Sequence, residues 1–149
     1  MLTRLLPDQI SKFWPIIKYA VEESLPPTVG EHPNKMNKIL SSALSGTLGV
    51  WALYERGEQV KFQAILVTKI IFDDTSGTKS LLLYCLYGYE EITKGSWNNA
   101  FESLVKYAKS RNCIRMVAYS EIPHIINMAN SFGAETDYTF ISFDLNKIV

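Results

Sequence analysis

The chain has 149 residues, 47% of them apolar and 20% charged, with fifteen Lys/Arg balancing fifteen Asp/Glu. This length and composition suit a single domain spanning 1–149, burying roughly two-thirds of its unfolded surface in one core, and exclude a disordered or low-complexity chain. The basic residues are scattered, so there is no cationic footprint for a nucleic-acid backbone, and no apolar run approaches the roughly 20 residues of a membrane helix.

Residues 2–6 read as a short strand ended by Pro7, and Met1-Leu2-Thr3-Arg4-Leu5-Leu6 meets that proline before a signal-peptide core forms. Residues 8–24 carry Ile10, Phe13, Trp14, Ile17, Ala20 and Val21 on one helical face. Pro15 either kinks this helix or sits in the first turn of one beginning near Trp14. Leu25-Pro26-Pro27 stops it. A loop to Pro33 leads into a helix over 34–45, with Met36, Ile39, Leu40, Ala43 and Leu44 on one side and Gly46 ending it. The middle is β. Residues 49–54 and 59–72 flank Glu55-Arg56-Gly57-Glu58, a hairpin signal. Asp73-Asp74-Thr75-Ser76-Gly77 turns the chain into a third strand over 79–87, apolar on both faces as a central, covered strand is. Trp97, Ala100, Phe101, Leu104, Val105 and Ala108 then recur at helical spacing, with Asn112 suited to the left-handed position at the end. A strand over 113–119, a helix over 123–132 stopped by Gly133 (Ile125, Ile126, Ala129 and Phe132 inward), and a final strand over 136–145 complete the order β-α-α-β-β-β-α-β-α-β. The fold class is α/β (α+β), a mixed, mostly antiparallel sheet with helices on both faces.

The loop between the third meander strand and the long helix holds Gly88 and Gly95. A strand that hands over through such a loop to a helix N-terminus gathers free N–H groups and the positive end of the helix dipole, which suits an anion. Thr93, Lys94, Gly95, Ser96 and Trp97 are the candidate binding residues, with Ser96 equally an N-cap. Glu90 and Glu91 follow the strand and are either solvated loop acids or proton acceptors. Glu121 and His124 lie just beyond the next strand, where a histidine either opens a helix or serves as acid or base near neutral pH. Cys85 and Cys113 have apolar neighbours and read as inert buried thiols; two cysteines make no disulfide framework and suit a reducing compartment. Trp14 and Trp51 read as core. His32 has no second ligand at metal spacing, so no metal is expected.

The element order, with Ala108-Lys109-Ser110-Arg111-Asn112-Cys113 running into a strand and Ser131-Phe132-Gly133-Ala134-Glu135 running into the last one, resembles the GNAT (N-acetyltransferase) superfamily over nearly the whole chain. Trp51, Leu66-Val67-Thr68 and the Asn112-Cys113 turn are similar to a divergent branch often encoded by bacteriophages. The resemblance implies an acetyl-CoA pyrophosphate loop of the form Gln/Arg-x-x-Gly-x-Gly/Ala. Its positions here are Ile92, Gly95 and Trp97, of which only the glycine matches. The position of the family's frequent tyrosine general acid is Ala129, which has no proton to give.

Two functions follow from this resemblance. One is a GNAT-fold module that has left standard catalysis and binds another protein, in a phage particle or an infected cell, with no cofactor. The other is an atypical acetyl-CoA-dependent N-acetyltransferase, in which Gly95 and the helix N-terminus hold the pyrophosphate. Glu90 or Glu121 then takes the amine proton, and a backbone N–H of the central strand polarises the thioester. The expected location is cytoplasmic, of the host if phage-encoded, and the expected partner is a protein or a second copy, docked on the meander edge or the preceding helix pair. Nucleic acid and membrane are not expected partners.

Overall fold

The computed structural model describes residues 1–56 and 60–148. These form two compact units, Met1–Ala118 and Tyr119–Val149.

The first unit opens with strand β1 (Leu2–Arg4), followed by helices α1 (Pro7–Lys12), α2 (Trp14–Ser24) and α3 (Lys35–Ser45). What reads as one helix over 8–24 is two. The helical path breaks at Phe13 (φ −101°, ψ 11°), and Pro15 sits in the first turn of α2, where its missing N–H costs no hydrogen bond. Gly46, at φ 86°, ends α3 in the left-handed conformation. Strands β2 (Leu48–Arg56), β3 (Val60–Asp73) and β4 (Thr78–Gly88) form the antiparallel meander. Of the Glu55-Arg56-Gly57-Glu58 hairpin signal, 55 and 56 end β2 and 57 and 58 lie outside the described residues. The second turn is formed as expected: Asp73 Oδ1 accepts from the N–H groups of Thr75 and Ser76, and Gly77 takes φ 74°. Helix α4 (Lys94–Ser110) and strand β5 (Arg115–Ala118) follow, with Asn112 left-handed (φ 61°) between them.

The strands lie in sequence order, β1-β2-β3-β4-β5, antiparallel except for the parallel β4–β5 pair. Alternation along the strands divides the core. Val50, Ala52, Ile65, Val67 and Cys85 pack with Ile10, Ile17, Val21, Ile39 and Ala43 of α1–α3. Trp51, Leu53, Ala64 and Leu66 pack on the other face with Ala100 and Leu104 of α4. Burial on both faces explains why residues 81–86 of β4 read as a continuous apolar run. Trp14 packs against the first cluster and Trp51 belongs to the second, so both are core as expected.

The second unit contains helix α5 (Pro123–Ser131), closed by Gly133 at φ 92° and Ala134 N–H donating to the Ala129 carbonyl. None of its residues is fully buried. The strand expected over 136–145 is not formed. A two-residue period becomes a strand only by pairing, and among the described residues of this unit there is no other strand for it to pair with. The segment is tied instead by side chains: Thr136 donates to Asn130 Oδ1 (3.0 Å), and Tyr119 meets Phe140 edge-on at 5.0 Å.

Candidate functional site

Three backbone features of the first unit meet around Gly88. The β4–β5 ladder runs from Ser80↔Arg115 to Leu83↔Ala118, where β5 ends. Residues 84–88 of β4 extend past it, roughly 17 Å of strand at about 3.3 Å per residue. At the start of that overhang the β3 register jumps from Val67↔Cys85 to Thr68↔Leu83, so Tyr84 is an extra residue in β4. Such a bulge twists a strand and re-aims its groups, and bulges gather next to active sites. The overhang then enters the loop to α4.

The start of α4 differs from one expectation. Its cap is Thr93, whose Oγ1 accepts from Ser96 N–H (3.2 Å) and donates to Ser96 Oγ (3.0 Å). Ser96 therefore lies inside the first turn and is not the N-cap; Thr93, with extended dihedrals three residues before it, is placed to receive that N–H. Trp97 N–H donates to the Thr93 carbonyl (3.1 Å). The first-turn N–H groups of Lys94 and Gly95 are the ones without a helical acceptor. Both residues are exposed, and a Cβ built on Gly95 would meet nothing within 4 Å. Lys94 adds an ammonium to the two N–H groups and the positive helix end. This donor set suits a phosphate or diphosphate. Trp97 is half-buried. Ile92, at the position where the resemblance implies a polar phosphate ligand, packs against the α4-side core cluster, which explains its apolar character.

Glu90 is anchored. Lys61 Nζ lies 2.8 Å from its carboxylate. The hydrogen bond from Lys61, followed by one from Gln63, holds the Glu90 carboxyl below its ordinary range, and Lys61 is raised in return. A carboxylate stabilised as the anion is a weaker proton acceptor. Glu91 is exposed. Glu121 and His124 belong to the second unit, both exposed, with His124 in the first turn of α5; Ala129 lies on the same helix. The structure thus gathers Glu90, Thr93, Lys94, Gly95 and Ser96 on one loop and helix start of the first unit.

Sequence reasoning missed a tyrosine cluster on the opposite face of the β4 overhang. Tyr87 meets Tyr89 edge-on at 5.1 Å and Tyr19 of α2 at 5.7 Å, and Tyr89 donates its hydroxyl to the Ile16 carbonyl (3.0 Å). Burial, then the neighbouring Tyr87 and Tyr19, push the Tyr89 hydroxyl up to about 12. The available signal was the Tyr-x-Tyr spacing, which puts both rings on one face of an extended chain. Cys85 is 2% exposed, and burial pushes its thiol up to about 12, as an inert core thiol requires; Cys113 is half-buried. His32 Nδ1 accepts from Asn34 N–H. Among the described residues no group of three His, Cys, Asp or Glu could hold a metal, and no helix is long and apolar enough to cross a membrane.

No protein-family model and no curated protein sequence matches the chain. Solved structures do match. A predicted acetyltransferase from Clostridium acetobutylicum, determined with acetyl-CoA, has a TM-score of 0.70 at 16% identity, over 98% of this chain and 96% of that one. An aminoglycoside acetyltransferase from an uncultured soil metagenomic sample, in complex with sisomicin, gives 0.69 at 14% over 97% and 95%. A ribosomal-protein-alanine N-acetyltransferase from Brucella melitensis gives 0.66 at 11% over 97% and 99%. The fold is that of the GNAT acetyltransferases.

Proposed function

We propose that the chain binds an acyl-CoA thioester along the overhanging end of β4 and works as an atypical N-acetyltransferase toward an amine. The observation that carries this reading is the overhang itself. Residues 84–88 outlast β5, begin at a bulge, and deliver the chain to an open helix N-terminus whose Lys94 and Gly95 N–H groups lack helical acceptors. The donor set fits the cofactor's diphosphate, and the open space at Gly95 lets backbone approach it. Acyl-CoA, when bound, supplies an activated thioester. Lys94 and the α4 N-terminus would hold its phosphates, and a β4 backbone N–H would polarise its carbonyl. On the other face, the Tyr19–Tyr87–Tyr89 rings, with Glu23 close enough to raise Tyr87, suit a cationic amine. Glu90, acting through water, would take the amine proton.

A second reading has its own support: a non-catalytic GNAT-fold module that binds another protein, in host cytoplasm or phage particle. It is favoured by the Glu90–Lys61 pair, which weakens the carboxylate as a base, and by Ala129, which offers no general acid.

Calorimetric titration with acetyl-CoA separates the two. Micromolar binding by the wild type, lost at least tenfold in Gly95→Leu, supports the enzyme reading. Silence from the wild type and from Trp97→Gly refutes it, and co-purification of a protein partner then supports the second.

A further inference from the structure

At the far end of α4 from the loop, a second polar recess opens in the first unit. It has a volume of about 200 Å³ and is lined by Thr47, Gly49, Thr68, Lys79, Tyr107 and Arg111 among others. Its cations come from different elements: Lys79 from β4 and Arg111 from the C-cap of α4. A third, Arg4 of β1, stands beside it against two of the lining residues. Its Nη1 donates to the Tyr107 hydroxyl (3.0 Å), its Nη2 donates to the Gly46 carbonyl (3.4 Å), and its guanidinium lies 5.5 Å from the Tyr107 ring. No acidic side chain lines the recess, and no carboxylate among the described residues pairs with any of the three.

The helix C-terminus accounts for Arg111, because a cation there complements the carbonyl end of the dipole. It does not account for Lys79 or Arg4, which stand on strands. The floor carries an independent sign. Thr68 is 2% exposed; its oxygen accepts from Trp51 Nε1 (3.0 Å), and its own O–H has no acceptor among the described residues. The Tyr107 hydroxyl, filled as an acceptor by Arg4, likewise keeps its proton to give. Three unpaired cations and two hydroxyl donors around a small recess match a tetrahedral oxyanion, and Arg and Lys are the usual binders of such groups.

We propose that this recess binds a phosphate group, held by Lys79, Arg111, Arg4 and the hydroxyls of Thr68 and Tyr107. It is separate from the α4 N-terminus: α4 has 17 residues, roughly 25 Å at about 1.5 Å per residue. The inference therefore does not depend on acyl-CoA binding.

The test is calorimetry with inorganic phosphate and, separately, with phenyl phosphate, both at fixed ionic strength against sodium chloride. The expected result, in a Gly95→Leu background that removes the α4 N-terminal donor set, is saturable binding weakened at least tenfold by Lys79→Gln and by Arg111→Gln. Tighter binding of the monoester assigns the phosphate to a larger molecule; equal binding assigns it to the free ion. Arg111 is exposed, so its variant keeps the fold, and circular dichroism verifies this for each protein. The proposal is overturned if the Gly95→Leu protein shows no binding above the chloride control, or if binding in that background survives the Lys79→Gln/Arg111→Gln double variant.

Discussion

Gly49 has no room for a single methyl group, which makes Gly49→Ala a sharp test of the packing between β2 and β3. A Cβ there would lie 2.7 Å from Thr68 Oγ1, 2.9 Å from Trp51 Nε1 and 3.6 Å from Arg4 Cζ. Gly49 is not among the positive-φ glycines, Gly46, Gly77 and Gly133, so the backbone accepts alanine and the whole penalty is steric. Thr68 pairs directly with Gly49 across the ladder and is buried, so it cannot swing away without breaking its hydrogen bond to Trp51. Overpacking of this kind costs about 1–3 kcal/mol, and loss of one buried hydrogen bond costs about 1 kcal/mol more. The lower chain entropy of alanine in the unfolded state returns about 0.4–1 kcal/mol. The net loss is therefore about 2 kcal/mol, which for a chain of this size lowers Tm by roughly 4–8 °C. Urea and thermal unfolding followed by circular dichroism measure it. Thr68→Ala removes the nearest clashing atom, so the double variant is expected to be less destabilised than the sum of the two singles. A Gly49→Ala protein as stable as wild type would refute this account of the β2–β3 contact.

Alkaline pH is expected to destabilise the fold. Cys85 and Tyr89 both titrate higher in the folded chain, each at about 12, so between their unfolded pKa values and that point the unfolded state binds fewer protons and stability falls as pH rises. Cys85→Ala and Tyr89→Phe should each flatten the decline in urea unfolding from pH 8 to 11; an unchanged slope in both sinks the argument. Thr93→Ala removes the cap of α4 and should cost about 1 kcal/mol, whereas Thr93→Ser retains it; equal stability of the two variants by thermal unfolding would dismiss the cap. Lys61→Met should raise the Glu90 pKa, read by NMR titration, because the ammonium that favours the carboxylate is gone. Glu90 then contributes less stability above its unfolded pKa, and no upward shift would show that Lys61 does not control it.

Much of the fold is local and therefore legible in the sequence. Period-two and helical spacing placed β2, β3, β4 and α4, Gly46 and Asn112 marked helix ends by their left-handed conformation, and Pro15 announced a helix starting near Trp14. The candidate loop was legible too, since Gly88 and Gly95 lie between an apolar strand and an amphipathic helix. The cap was not: Thr93 and Ser96 are both good capping residues, and only the backbone path decides which one accepts the N–H. Nor was the strand expected over 136–145, because alternation states which face is apolar but not whether a partner edge is offered. The Glu90–Lys61 pair joins residues 29 apart in sequence, and the phosphate recess gathers Arg4, Thr68, Lys79 and Arg111 from four elements. Sequence by itself determined the meander, its turns, the long helix and the loop that opens it, because these rest on near-neighbour sterics and the polarity of successive residues. Tertiary structure decided which carboxylate is tied down, where β4 outlasts β5 and which distant cations face one another, because those depend on strand register and helix docking, which no short stretch of chain encodes.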